Sequence, residues 1–287
     1  MASRPSDRND VLSATRDSST VVSDATDRSS VVSGQIGRGL VGAAVFVAGW
    51  WSLASTVPSY LLPTPTAVLG AFVTELTTPA TLAFGGVTLQ LTELSAVLLQ
   101  SLLHYVPGLL LGVGLGVPLG IALGYSTRLD EYFTPAVGLL RPIPPLAWMG
   151  FVIAWVGIGH AGAAVIVAIG SFWITLLGAH DGVRELPTEW IEVGESLGVR
   201  NHRTMVRTVV IPGVAPSVFT AVRTSLGRSW MIIVAAELFG APGLGYRIIH
   251  TAQSLAMDVS MAYMLTLGLA YLATDALFQV AREVVAP

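Results

Sequence analysis

With 287 residues, 53% of them hydrophobic and 11% charged, and a mean hydropathy of +0.68, the chain is short of the polar surface a soluble domain needs, where roughly 25% of residues are charged. It holds no cysteine, which excludes disulfides, thiolate nucleophiles and Cys-ligated metals. The net charge of −3 says little by itself, but every fixed cation is an arginine, so the phosphate-binding lysine of a Walker A loop cannot come from this chain.

Lipid forces backbone groups to be satisfied internally, which leaves helices or a closed barrel. The apolar runs are about 20 residues long, enough to cross a bilayer, and do not alternate. They predict an all-α membrane protein of about six transmembrane helices. Residues 1–35 are Ser, Asp, Arg and Thr without an apolar face, which predicts a disordered cytosolic tail. It is not a secretory signal, since no apolar core sits inside it. Residues 36–57 predict the first span, with Trp50 and Trp51 as interfacial anchors. Residues 58–103 predict an external segment with a lead-in helix near 82–103, interrupted by Gln90, Thr92, Glu93 and Gln100. The core, 104–283, supplies spans at about 104–125, 135–157, 161–180, 213–238 and 259–281, and includes a folded loop at 181–212.

Several features within these spans carry information. Gly112, Gly116, Gly120 and Gly124 recur every four residues, a small-residue face suited to close helix packing. "RPIPP" at 141–145 brings Pro142, Pro144 and Pro145 together, a break tolerated where it is buried in protein or lines a cavity. Both readings stay open. The fifth span holds Arg223 and Arg228. Each costs roughly 2.5–3.5 kcal/mol at a helix centre, while each large aliphatic residue returns about 0.3–0.6. Both should therefore face protein or water. Arg228 either pairs with Glu237 or Asp275, or meets an anionic substrate.

The loop "ELPTEWIEVGESLG" predicts a short helix with Thr188 as N-cap, Glu189 and Glu192 at its positive end and Gly198 as its stop. Asn201 then caps a basic helix with Arg203 and Arg207, running to Ile211 and ended by Pro212. With six spans, one side receives Arg4, Arg8, Arg16, Arg28, Arg38, Arg128, Arg184, Arg200, Arg203, Arg207 and Arg282, and the other only Arg247. The positive-inside rule puts the first set, and both termini, in the cytosol. His104, His160, His180, His202 and His250 show no ligand spacing, so no metal is expected. No nucleophile elbow is present, and the arginine cluster lacks the interleaved aromatics of a nucleic-acid interface.

Glu192-Val193-Gly194, three residues, Gly198 and a helix closing on Ile211-Pro212 resemble the "EAA…G…LP" loop of ABC-importer permeases, with Val193 and Gly194 where that loop has its two alanines. "LPTPTAV" (62–68), "LLRPIPPLAW" (139–148), "IPGVAPSVFTAVR" (211–223), "VAAE" (234–237) and "GLGY" (243–246) are similar to strings of the nitrate/sulfonate/taurine branch, in the same order. The resemblance covers about 58–281. It implies a type I ABC-importer permease fold: a homodimer with two copies of an ATPase that holds the ATP and Mg, an external substrate-binding protein, and no cofactor in this chain. It implies ATPase coupling through Glu189, Glu192, Val193, Gly194, Gly198, Arg200 and Arg203. The pathway-lining candidates are Arg141, Pro142, Pro144, Pro145, Arg223, Arg228 and Glu237. The expected cargo is a small anion of nitrate, sulfonate, taurine or bicarbonate type. A thiamine precursor, riboflavin or a stand-alone secondary transporter are the alternatives; the last predicts inverted repeats, and none is evident.

Overall fold

The computed structural model describes residues 18–84 and 86–285. The chain divides between Ser59 and Tyr60 into two units. The first holds helix α1 (Ser18–Thr56), which carries the apolar stretch expected to span first. Of the tail expected at 1–35, residues 1–17 lie outside the described residues, while 18–35 continue α1 as helix. The difference has a simple cause: nucleation is the costly step, and an existing helix extends at little cost per residue.

The second unit opens with α2 (Pro65–Thr77), where Pro65 takes the first turn and the Thr64 hydroxyl accepts from the Ala67 N–H at 3.3 Å. An antiparallel hairpin follows, β1 (Pro79–Phe84) with β2 (Val87–Thr92), pairing Pro79 with Thr92 and Phe84 with Val87. The lead-in helix expected near 82–103 is thus half strand. β-Branched Thr81, Val87, Thr88 and Thr92 favour the pleat, and the Thr92–Ser95 capping box starts the next helix only at Glu93.

That helix, α3 (Glu93–Tyr125), is the spine of the unit. It is followed by α4 (Thr127–Leu140), a 3-10 turn over Pro145–Trp148 and α5 (Met149–Val156). The two helical arms either side of Arg141–Pro144 meet at 88°, so the third expected span is a broken one. Helix α6 (His160–Arg184) runs parallel to α3, since Gly108 meets Ala164 and Val167 while Gly124 meets His180 and Val183. A methyl group at Gly112, Gly116 or Gly120 would sit within 2.7 Å of a backbone oxygen of α6. The four-residue glycine spacing therefore sets an interface where backbone meets backbone.

Beyond α6 lie α7 (Thr188–Ser196), the single turn α8 (His202–Met205), a π-helical turn over Val206–Val210 and α9 (Ile211–Glu237). From His202 to Glu237 the path is one helical run of 36 residues. Pro212 does not end a helix, contrary to the sequence expectation. It falls on the first turn of α9, directly after the π turn. The wider turn absorbs the missing N–H and the ring, which an uninterrupted α-helix could not do without a kink. The chain ends in α10 (Leu244–Gln253) and α11 (Met257–Val285). Among the described residues four helices are long and apolar enough to cross a membrane, α3, α6, the run ending in α9, and α11, or five when the broken pair counts as one.

Aromatic and ionic contacts fasten α9 to its neighbours. Tyr105 stacks on Trp230 at 4.3 Å and donates to the Leu226 carbonyl at 3.0 Å. Trp230 Nε1 donates to Thr274 Oγ1 at 3.1 Å. Arg223 grips Asp275 of α11 with two bonds, Nε to Oδ1 at 2.7 Å and Nη2 to Oδ2 at 2.9 Å, and Gln279 donates to the same carboxylate. The Arg223 side chain is half exposed, which discounts the pair, yet losing one partner strands a largely buried carboxylate. In a double-mutant cycle, Arg223→Gln and Asp275→Asn should couple by about 1 kcal/mol in detergent melting. Additive effects would show the pair to be idle.

Candidate functional site

Two regions of the second unit gather most of the expected site residues. The first is a groove of about 890 Å³ between α6, α9 and the 141–145 break. Small residues bring the two helices together along one edge of the groove. Gly182 meets Ser217, Gly178 meets Ala221 and Gly170 meets Ile232, so α6 and α9 run antiparallel. The break forms because Pro142, Pro144 and Pro145 cannot donate. The chain turns there through Ile143 N–H to the Leu140 carbonyl at 3.1 Å and restarts at Pro145.

Of the pathway-lining candidates, Arg141, Pro144, Pro145 and Arg228 line the groove. Pro142, Arg223 and Glu237 are not among its lining residues. Pro142 is exposed on the outer side of the turn. Arg223 is drawn to α11 by Asp275. Glu237 lies fully buried at the far end of α9. Residues not anticipated from the sequence join the lining, among them Trp173, Ile174 and Asp181 from α6, Glu185 just past its end, and Ser217, Thr220, Thr224 and Met231 from α9.

Glu237 has a different task. Its Oε1 accepts from Ser101 Oγ at 2.7 Å and faces His104 Nε2 at 2.6 Å, while Oε2 accepts from the Gly245 N–H. Ser101 Oγ in turn accepts from the Leu244 N–H at 2.9 Å, and His104 Nδ1 faces His160 Nδ1 at 3.1 Å. Ser101, His104 and Glu237 are all 0% exposed. The network ties α3, the start of α6, the end of α9 and the first turn of α10 together. No spacing rule could reveal partners 133 and 136 residues apart. The available signal was the presence of ionisable groups inside predicted spans.

The second place is the loop with α7. Thr188 is its first residue, and Pro187 holds the cap position with no side-chain bond, so Thr188 is not the N-cap. Proline at the cap has already fixed the entry angle, leaving the threonine inside the helix. The C-terminal end matches the expectation for Gly198, which has φ +90°. Gly198 N–H donates to the Glu195 carbonyl at 2.9 Å and Val199 N–H to the Gly194 carbonyl at 3.0 Å, a Schellman turn. Gly194 is buried against Met205, where a methyl group would come within 3.0 Å of the sulfur. The following turn is capped by Asn201, which accepts from the Arg203 N–H. Glu189, Glu192, Arg200 and Arg203 are exposed. On α7 the large apolar residues Trp190, Val193 and Leu197 are 50%, 57% and 80% exposed. Their i, i+3, i+7 spacing puts them on one stripe. The Trp190 ring lies partly against Gly213, and the rest of the stripe is exposed apolar surface on a helix that also carries Glu189, Glu192 and Glu195.

Residues 112–287 match the family described as binding-protein-dependent transport system inner membrane component. Among curated proteins, the chain is 37% identical to one described as an ABC transporter permease of Methanocaldococcus jannaschii, over 61% of this chain and 66% of that one. It is 31% identical to the taurine transport system permease TauC of Escherichia coli, over 76% of this chain and 78% of that one. Among solved structures, a chain of the MetNI methionine ABC transporter in an inward-facing conformation superposes with a TM-score of 0.56 at 21% identity, covering 67% of this chain and 94% of that one. At that identity the likeness concerns the fold alone.

Proposed function

The chain belongs to the inner-membrane-component family of binding-protein-dependent transport systems, the permease subunits of ABC importers, and from that premise we propose that it forms the substrate pathway of an importer driven by a separate ATPase. The observation that carries this reading is the apolar stripe Trp190, Val193 and Leu197 on α7, held in place by the Gly198 turn and the Gly194–Met205 contact. The stripe fits an apolar groove on an ATPase subunit, and Glu189, Glu192, Arg200 and Arg203 form its charged rim. Because α7 joins the ends of α6 and α9 that flank the groove, a push on α7 is delivered to both walls of the groove.

In this reading α7 and both termini lie in the cytosol, as the arginine distribution favours. Two copies of the chain work with two ATPase subunits, which bind ATP and Mg, and with an external binding protein. The chain itself does no covalent chemistry. The cargo is a small anion; the taurine of the Escherichia coli relative's name ends in a sulfonate, a monoanionic group of this class. ATP binding closes the ATPase pair, shifts α7 and opens the groove to the outside, and hydrolysis resets it.

Gly198→Asp tests the coupling. A left-handed φ costs a residue with a Cβ roughly 1–2 kcal/mol, and open space around Gly198 makes the strain purely conformational. The membrane unit should stay folded while α7 loses its register. Reconstituted with its ATPase, the variant should lose at least tenfold in transport per ATP hydrolysed. Undiminished coupling, or a wild type that never binds an ATPase, would refute the proposal.

A further inference from the structure

Arginines in the apolar helices are treated in two ways. Arg184 pairs with Asp130, Arg223 with Asp275 and Arg247 with Glu93. Arg228 has no acidic partner among the described residues, although it lies in the middle of a membrane-crossing run, where an unpaired charge is costly. The two acids the sequence offered to it are engaged elsewhere, Asp275 with Arg223 and Glu237 with His104.

The groove has carboxylates of its own, Asp181 and Glu185, but they are out of register. The contacts Gly178–Ala221 and Gly170–Ile232 put Arg228 level with Trp173. Asp181 lies eight residues further along α6, about 12 Å at 1.5 Å per residue. Around Arg228 the lining is Trp173, Ile174, Met231 and Ile232; Thr224, one turn away on the same helix face, donates its hydroxyl to the Thr220 carbonyl at 2.9 Å. The site thus presents a permanent cation in an apolar section of the groove, with no anion among the described residues to neutralise it.

We propose that Arg228 is the residue that recognises the transported anion, binding a planar or tetrahedral oxyanion through its guanidinium fork. This rests on the reading of the groove as the substrate pathway. A guanidinium matches such oxygens with paired, charge-assisted hydrogen bonds. The acids at the α7 end of the groove sit where a bound anion would next pass. They repel it, which keeps its residence there short.

The test uses the full transporter, this chain with its ATPase and binding protein, in liposomes. The probes are ethanesulfonate, nitrate and bicarbonate. Arg228→Gln should cut ATP-driven uptake of the anion the wild type carries by at least tenfold and raise its half-saturation concentration. Assembly with the ATPase should be unchanged, and Arg228→Lys should retain more uptake than Arg228→Gln. Equal uptake and half-saturation in Arg228→Gln overturn the assignment. So does a wild type that assembles and hydrolyses ATP but moves none of the three anions, and this leaves the permease reading standing. Loss of association between two copies in Arg228→Gln overturns it in favour of a partner-copy ion pair. A wild type that fails to assemble with any ATPase refutes the permease reading itself.

Discussion

Gly116→Leu should abolish the folded membrane unit, while Gly114→Leu, two residues away on the same helix, should be tolerated. The contrast follows from the packing of α3 on α6. A Cβ at Gly116 would lie 2.3 Å from Thr175 Oγ1, 2.7 Å from the Phe172 carbonyl oxygen and 3.1 Å from the Leu176 N–H. Two of these are backbone atoms of α6, which no rotamer change can move aside. A Cβ at Gly114 meets nothing within 4 Å. Overpacking a well-filled core costs about 1–3 kcal/mol when side chains can yield. Here the helices must separate, and Gly108, Gly112, Gly120 and Gly124 lose their contacts in the same motion. The cost should exceed ~3 kcal/mol, a large share of the 5–15 kcal/mol by which folded proteins are stable. Expression with size-exclusion chromatography reads the outcome. Monodisperse yield should fall more than tenfold for Gly116→Leu and stay within twofold of wild type for Gly114→Leu. Equal behaviour of the two variants would mean that the α3–α6 interface is looser than its geometry.

That interface was legible in the sequence because it depends on local periodicity alone. Four-residue glycine spacing in a helix defines a face, whatever the partner. The break at 141–145 was legible for a related reason, since three prolines remove backbone donors wherever they sit. The Gly198 turn belongs to the same class. Features governed by competing local signals were harder. Near 82–92, apolar content suggested helix, yet β-branched threonines and the capping box at Thr92 set a hairpin first. At Pro212 the helix-breaking rule met a π turn, which the sequence does not announce. Long-range pairing was the least legible. Arg223 and Asp275 are 52 residues apart, and which of two arginines takes which of two acids depends on the rotation of α9 about its axis. That rotation also decided the site, turning Arg228 into the groove, Arg223 to α11 and Glu237 into the core.

Glu237→Leu should be the most damaging single change at the end of the unit remote from α7, and Glu237→Gln should be distinctly milder. Leucine fills the volume but leaves the Gly245 N–H, the Ser101 hydroxyl and His104 Nε2 without their acceptor in a fully buried place. Each stranded group costs about 1–3 kcal/mol, so the sum approaches the stability of the whole unit. Glutamine keeps one acceptor oxygen, which can stay with the Gly245 N–H. Its amide then faces His104 and Ser101; the imidazole can answer by moving its proton to Nδ1, turning Nε2 into an acceptor and donating to His160 Nδ1 in place of receiving from it, so that the Ser101 hydroxyl alone loses its acceptor. The two-histidine relay is therefore a built-in means of accommodating a donor at position 237. Hydrogen exchange of the Leu244 and Gly245 amides is the direct readout, since both are fixed by this network. Exchange should speed up by several orders of magnitude in Glu237→Leu and by far less in Glu237→Gln, with detergent melting temperatures in the same order. Replacing His160 by phenylalanine in the Glu237→Gln background removes the relay's second member and should bring that variant close to Glu237→Leu. If Glu237→Leu melts with the wild type, the carboxylate does not hold the end of α9 to α10. In that case the anchoring of α9 must be sought in the aromatic contacts of Tyr105 and Trp230 instead.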